Sequence, residues 1–179
     1  MKGVVFNLLE EVVVRHHGAD VWDDLLDAAG VAGSYTSIGS YPDAEIEALV
    51  AAGASALGLN RAAVLRWFGQ EAMTVLSERY SAFFEPHSSA RPFVLSVNSI
   101  IHPEVRKLYA GAGCPHFHFR EESADGPLLM TYQSPRRLCA LAQGFVEGAS
   151  AHYGERVDFQ HLQCMDHGDA SCEFKVSWN

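Results

Sequence analysis

The sequence predicts an α+β fold in which a helical first half is followed by one antiparallel sheet. Three observations support this prediction. Apolar residues recur every three to four positions through the first half, as on the buried face of a helix. Two later regions show the alternation of apolar and polar residues that is typical of hairpins. A helical stretch separates these hairpins, and the order of helices, hairpin, helix and hairpin is typical of α+β domains.

The predicted helices of the first half are delimited by residues that start or end helices. An apolar stripe of Val4, Leu8 and Val12 predicts the first helix. The break at 86–92 contains two prolines and precedes a longer helix. The predicted boundaries are Gly18 at the end of the first helix, Gly30 at the end of the second, Pro42-Asp43 at the start of the third, Asn60 as the cap of the fourth, which continues to Phe83-Phe84, and 93–109 for the fifth.

The second half is predicted to form two hairpins and one further helix. The alternating segments PHFHFRE and GPLLMTYQS flank a turn at Asp125-Gly126. A helix from about Arg136 to Tyr153 follows, with Pro135 in its first turn, where proline is tolerated. The last hairpin is expected to pair residues from about 157–165 with 171–178 around an Asp/Gly turn at 166–169.

The composition predicts one soluble domain over residues 1–179, located in the cytoplasm. The chain has 13 Lys and Arg against 22 Asp and Glu, and this net charge of −9 argues against binding to nucleic acid or to an anionic membrane. Glu10 and Glu11 interrupt the apolar N-terminus, and no apolar run approaches the ~20 residues of a membrane span. In the cytoplasm the four cysteines stay reduced, as thiols or metal ligands.

His102 and a downstream motif are the candidate binding residues. His102 lies in the helical segment SIIHPEVRKLY, and neutral imidazole is the commonest axial ligand of haem iron. Tyr132, Ser134 and Arg136 form a Y-x-S-x-R motif whose hydroxyls and guanidinium suit the two haem propionates. If the motif lies on a strand, all three side chains share one face. The alternatives are a core histidine and an exposed strand face, and Pro115 alone is an ordinary turn residue.

Taken together, these residues make the chain resemble the H-NOX family of haem domains that bind nitric oxide and oxygen, related to the haem domain of soluble guanylate cyclase. The resemblance extends over essentially the whole chain. It implies a helical N-terminal lobe and a C-terminal lobe with a sheet, with haem b between them. It also implies that His102 is the proximal iron ligand, that Tyr132, Ser134 and Arg136 bind the propionates, and that Pro115 presses on the porphyrin.

The resemblance also indicates which gas is bound. Bound dioxygen needs a distal hydrogen-bond donor, whereas nitric oxide does not. Dioxygen-binding members have a distal tyrosine nine residues after the motif tyrosine, and this chain has Leu141 there. The other distal positions fall near Leu9 and Ala72. We therefore expect an apolar pocket that selects nitric oxide, and carbon monoxide, over dioxygen.

The resemblance implies a sensor and not an enzyme. Nitric oxide would weaken the bond between iron and His102, and the lobes would then shift between two states. A separate signalling protein, such as a histidine kinase or a cyclic-di-GMP enzyme, would read the change.

A second metal site is predicted near the C-terminus. Three thiols and one imidazole, from Cys139, His161, Cys164 and Cys172, would complete a tetrahedral structural zinc site. Some H-NOX members bind zinc at a matching set of residues. Burial of small side chains is the simpler alternative, and His167 is a competing ligand. If zinc is bound there, oxidation of its thiolates would make the site redox-sensitive.

Three other functions compete with the haem sensor, and one other iron ligand competes with His102. A zinc-binding domain of the 4-vinyl-reductase type has a similar pattern of cysteines around a Gly-Asp turn, as in CMDHGDASC. Cys114-Pro115 could supply a thiolate iron ligand in place of His102. An enzyme is disfavoured because GVAGS at 30–34 is too short for a phosphate loop, and an adaptor would differ from the sensor only in lacking haem.

Overall fold

The computed structural model describes residues 1–121, 123 and 126–179. Within these residues, α-helices precede and flank one antiparallel sheet, which confirms the predicted α+β class. The elements are α1 (Gly3–His17), α2 (Ala19–Ala29), α3 (Asp43–Leu57), α4 (Arg61–Arg79), a 3-10 turn (Ser81–Phe83), α5 (Ala90–Leu95), a π-helical segment (Val97–Ile101), α6 (His102–Leu108), β1 (His116–Glu121), β2 (Leu128–Gln133), α7 (Cys139–His152), β3 (Val157–Gln163), a 3-10 turn (Met165–His167) and β4 (Cys172–Trp178). We refer to α1–α4 as the helical lobe and to α5–β4 as the sheet lobe.

The predicted boundaries of the first four helices are confirmed to within a few residues. The Asn60 side chain accepts a hydrogen bond of 2.8 Å from the Ala63 amide and thereby caps α4. Gly30 ends α2 with φ of +66°, a left-handed conformation that costs glycine little. No single helix in the described part of the chain is long and apolar enough to cross a bilayer, and α3 and α4 meet that test only as a pair bent by 103°.

The single long helix predicted over 93–109 is wrong. The helix begins earlier, at Ala90, and the π-helical segment Val97–Ile101 divides it into α5 and α6. Pro103 explains the division. Proline has no amide hydrogen to donate and its ring clashes with the carbonyl four residues before it, so a regular α-helix cannot continue through this point.

The predicted start of the next helix at Arg136 is also wrong, because α7 begins only at Cys139. Residues 134–137 form a turn instead, closed by a 3.2 Å hydrogen bond from the Arg137 amide to the Ser134 carbonyl. Arg137 has a φ of +51°, which no α-helix accommodates. Pro135 therefore lies in this turn and not in the first turn of the helix.

Four antiparallel strands form the sheet in the order β1-β2-β4-β3. Both predicted hairpins are present, and β2 joins them by pairing with β4, where Tyr132 lies opposite Cys172. The first turn was predicted at Asp125-Gly126. The Gly126 amide donates a hydrogen bond to the Ser123 carbonyl, and Asp125 lies outside the described residues. The β3–β4 connection contains the second 3-10 turn and Gly168, as the Asp/Gly pattern predicted.

Helix α7 of the sheet lobe packs against the helical lobe and contributes residues to both hydrophobic cores. Leu141 packs with the helical lobe, and Cys139 and Val146 pack with the sheet. The backbones of α7 and α4 approach each other closely. A methyl group on Gly144 would lie only 2.1 Å from the Arg66 carbonyl oxygen. Glycine is needed there for close approach of the two backbones.

We expect Gly144→Ala to destabilise the protein by about 1–3 kcal/mol, the usual cost of overpacking. Gly53→Ala is the matched control, because its methyl group would meet only the Val64 side chain, at 3.7 Å. In a helix interior that change is expected to raise stability by about 0.5–1 kcal/mol. Urea unfolding of both variants measures the difference, and equal midpoints would contradict the close packing of α4 on α7.

Candidate functional site

His102 lies at the junction between the π-helical segment and α6, and its ring is half-buried. It stacks on Phe117 of β1 with ring centroids 5.9 Å apart and planes 25° apart. Burial, assisted by the positive charge of Arg106, lowers the pKa of His102 to about 4. The imidazole is therefore neutral near pH 7 and keeps a nitrogen lone pair for coordination.

The His102 Nδ1 atom is buried and has no hydrogen-bond partner within the described residues. Buried polar atoms are nearly always paired, so an unpaired one in a folded protein calls for an explanation. A neutral imidazole stacked on Phe117 has the donor chemistry that haem iron requires of an axial ligand. These features of His102 fit a haem site.

Tyr132 and Ser134 are both buried at the end of β2. The Tyr132 hydroxyl accepts a 3.0 Å hydrogen bond from the Leu138 amide, and its own proton remains available for donation. Burial raises the pKa of Tyr132, although hydrogen bonds from Ser134 and Leu138 partly offset this. The phenol is thus a neutral donor, as recognition of a carboxylate requires.

Arg136 does not extend the strand face, because β2 ends at Gln133. The expectation that strand alternation alone aligns the three motif residues is wrong at this position, because the turn at 134–137 redirects the chain. The Arg136 Nε donates to the Asp43 carboxylate at 2.9 Å, and its Nη1 donates to the Gly113 carbonyl at 2.7 Å. Arg136 thereby connects α3 of the helical lobe to the loop before β1.

Asp43 is a member of this site that the sequence does not reveal. Its carboxylate also accepts from the N-terminal ammonium group. Burial would raise the pKa of Asp43, but the hydrogen bonds from the N-terminus and from Arg136 hold it below its usual value. These partners are far apart in sequence, so no spacing pattern could have identified them. The contact shows that the Arg136 side chain is oriented to bind a carboxylate.

Leu9, Ala72 and Leu141, the three positions expected to line the distal pocket, belong to one buried cluster. None of these side chains has a hydrogen-bond donor. Tyr35, which packs against this cluster, donates its hydroxyl proton to the Glu45 carboxylate. The three positions expected to line the distal pocket are therefore all apolar.

Pro115 is half-buried in the loop before β1, two residues ahead of Phe117. Cys114 beside it is also half-buried, and burial raises the pKa of its thiol. A protonated thiol is a poor iron ligand. This chemistry favours His102 over Cys114 as the ligand.

The second predicted site is a compact cluster of Cys139, His161, Cys164 and Cys172, whose ligand atoms all lie within 4.8 Å of one another. The sulfurs of Cys139 and Cys164 are 3.9 Å apart. His167 is not part of this set. The four groups come from α7, β3, the following turn and β4, so the fold itself brings them together.

The chemistry of this thiol cluster suits a soft metal ion. Burial, and the neighbouring thiols of Cys172 and Cys164, raise the pKa of Cys139 in the absence of a metal. The Met165 amide donates to the Cys172 sulfur at 3.3 Å, which would stabilise a thiolate. Three sulfurs and one imidazole form a donor set that is suitable for tetrahedral Zn²⁺.

Comparisons with known proteins agree on one family. The family described as Haem-NO-binding matches residues 2–161. An H-NOX protein from Shewanella oneidensis, solved in the Fe(II)NO ligation state, superposes with a TM-score of 0.92 at 30% identity, over 100% of this chain and 99% of the other. An H-NOX domain from the same organism, in the Fe(II)CO state, gives 0.89 at 30% identity, over 100% and 99%. An unliganded Fe(II) H-NOX protein from K. algicida shares the fold, with a TM-score of 0.84 at 22% identity over 100% and 97%.

We expect His102 to make the haem-free protein less stable as the pH falls from about 6.5 to about 4. In this window the unfolded chain takes up a proton at His102 and the folded chain does not, so protonation favours unfolding. His102→Gln removes this contribution. Urea unfolding at about pH 7 and about pH 4.5 should show a smaller loss of stability in the variant, and equal losses in both proteins would contradict a buried neutral ring.

Proposed function

Because the chain belongs to the Haem-NO-binding (H-NOX) family, we propose that it is a gas sensor that binds nitric oxide at a ferrous haem b. The single observation that carries this proposal is the neutral imidazole of His102, whose buried Nδ1 atom has no hydrogen-bond partner among the residues that the structure describes. Haem supplies an iron atom that binds diatomic gases. The protein holds that group between its lobes, excludes water and converts gas binding into a change of shape.

We assign the haem contacts as follows. His102 ligates the iron as a neutral imidazole. Tyr132 and Ser134 donate hydrogen bonds to the propionates, and Arg136 pairs with them by charge, in the way that it already binds the Asp43 carboxylate. Pro115, beside the strand that carries Phe117, contacts the porphyrin face. The site would thus combine one metal ligand with three anion-binding side chains.

The apolar wall of Leu9, Ala72 and Leu141 supports selectivity for nitric oxide and carbon monoxide over dioxygen. A polar iron–dioxygen unit gains stability from a distal donor, and these three side chains offer none. Two similar H-NOX structures from Shewanella oneidensis are described, one in the Fe(II)NO and one in the Fe(II)CO ligation state. We infer that the present chain binds the same two gases.

Absorption spectra of the dithionite-reduced protein, recorded under nitric oxide and then in air, test this proposal. We expect a Soret band that shifts with nitric oxide and shows no stable dioxygen complex. Leu141→Tyr should gain a dioxygen complex, because it adds a hydroxyl donor to the apolar wall, whereas Leu141→Phe adds similar bulk without a donor and should not. A wild-type protein that forms a stable dioxygen complex would contradict the apolar pocket, and no Soret band after haem is supplied would overturn the sensor.

We further propose that Cys139, His161, Cys164 and Cys172 bind zinc. The support is the mutual proximity of four soft donors and the amide hydrogen bond to the Cys172 sulfur. Zinc would replace three protons on adjacent buried thiols and cross-link α7 to both strands of the last hairpin. Oxidation of the thiolates would release the metal, which makes the site redox-sensitive.

We expect the purified protein to contain about one zinc per chain, the stoichiometry of a structural four-ligand site. Cys172→Ala should lose the metal, and Cys114→Ala should retain it because Cys114 is not in the cluster. Elemental analysis measures zinc and the Soret absorbance measures haem in parallel. Zinc retained in Cys172→Ala would overturn the site, and zinc unchanged after peroxide treatment would overturn its redox role.

The proposed output is a change of shape that a separate signalling protein reads, such as a histidine kinase or a cyclic-di-GMP enzyme. We propose that the chain acts as one non-enzymatic domain over residues 1–179. A cytoplasmic location suits it, because the four free thiols stay reduced there. The zinc-binding domain of the 4-vinyl-reductase type is not favoured, since it gives no role to His102 together with the Y-x-S-x-R motif.

A further inference from the structure

The helix that carries His102 is lightly held. α6 spans His102–Leu108, only seven residues, and none of them is fully buried. Before α6, the Asn98 side chain donates to the Phe117 carbonyl at 2.6 Å, which fixes the π-helical segment to β1. Elements with little buried surface open at low free-energy cost. The position of His102 therefore depends on the few contacts that hold α6 at either end.

The far end of α6 is held by two tyrosines. Tyr109 directly follows Leu108, the last residue of α6, and its hydroxyl lies 3.1 Å from the hydroxyl of Tyr80. Both side chains are half-buried. Burial, together with the hydrogen bond from Tyr80, raises the pKa of Tyr109 to about 12, so the Tyr109 phenol stays protonated at neutral pH.

Tyr80 directly follows Arg79, the last residue of α4, and Arg79 is bonded to another helix of the helical lobe. The Arg79 guanidinium forms an ion pair with Glu11 of α1. At the end of α4, Arg79 thus contacts α1, and the next residue, Tyr80, contacts Tyr109 at the end of α6. A displacement of α6 that breaks the Tyr80–Tyr109 bond acts directly on the end of α4.

We propose that Tyr80 and Tyr109 are positioning residues that hold α6, and with it His102, in the iron-ligating position. This inference rests on the proposed function, because the position matters only if His102 is an iron ligand. If the bond between iron and His102 were weakened, the hydroxyl pair would oppose the movement of α6. Loss of the hydrogen bond between Tyr80 and Tyr109 should therefore make α6 more mobile and speed up the release of His102 from the iron.

The pair is tested with Tyr80→Phe, Tyr109→Phe and the double variant, each of which removes only hydroxyl groups. The first measurement is hydrogen–deuterium exchange of the α6 amides in the protein as purified. The second is the rate at which the Soret band reaches its final position after nitric oxide is mixed in. Tyr153→Phe is the matched control, because its hydroxyl donates to the Phe84 carbonyl and not to Tyr80, Tyr109 or a residue of α6.

One neutral hydrogen bond corresponds to about a threefold to tenfold effect. We expect each single variant to speed up both α6 exchange and the Soret change by about that factor. The double variant should match the singles, since the two hydroxyls make one bond, and the control should match the wild type. Additive effects of the two substitutions, or unchanged exchange and rate, would overturn the proposal. If the protein bound no haem, only the second measurement would be lost, and the exchange measurement would still decide whether the pair holds α6.

Discussion

The buried Nδ1 atom of His102 has no hydrogen-bond partner in the described part of the chain, and a buried polar atom without a partner is costly in a folded protein. Pro103 prevents a regular helix, the π-helical segment places the ring against Phe117, and desolvation keeps the ring neutral. A neutral and oriented nitrogen needs little rearrangement to coordinate a metal. The helix that carries it has no fully buried residue, so a ligand that acts on this nitrogen acts on a movable element.

Helix α7 is the structural link between the two proposed metal sites. Its first residue, Cys139, belongs to the thiol cluster, while Leu141 belongs to the apolar wall. Tyr132 lies opposite Cys172 in the sheet, and its hydroxyl binds the amide of Leu138, which precedes Cys139. The proposed propionate-binding segment and the thiol cluster therefore share one turn and one strand pair, so a change at either site would act on the same backbone.

The sequence was sufficient to predict the elements that depend on local signals. Periodicity, Asn60 and Gly30 determine the helices of the first half, and alternation determines both hairpins. Prediction failed where a single residue changes the backbone, at Pro103 within a helical pattern and at Arg137 with its positive φ. His102, the motif and the cysteines carry a recognisable spacing. The Asp43–Arg136 and Tyr80–Tyr109 contacts do not, because they join distant segments through tertiary packing.

Replacement of the proposed ligand by a smaller side chain tests the central claim, that His102 holds the iron, most directly. The Soret spectrum of reduced His102→Gly would be recorded with and without added imidazole, which can occupy the space of the missing ring. Ligation by His102 predicts that the variant loses the wild-type spectrum and that imidazole restores it. A variant with the wild-type ferrous spectrum in the absence of imidazole would contradict the account.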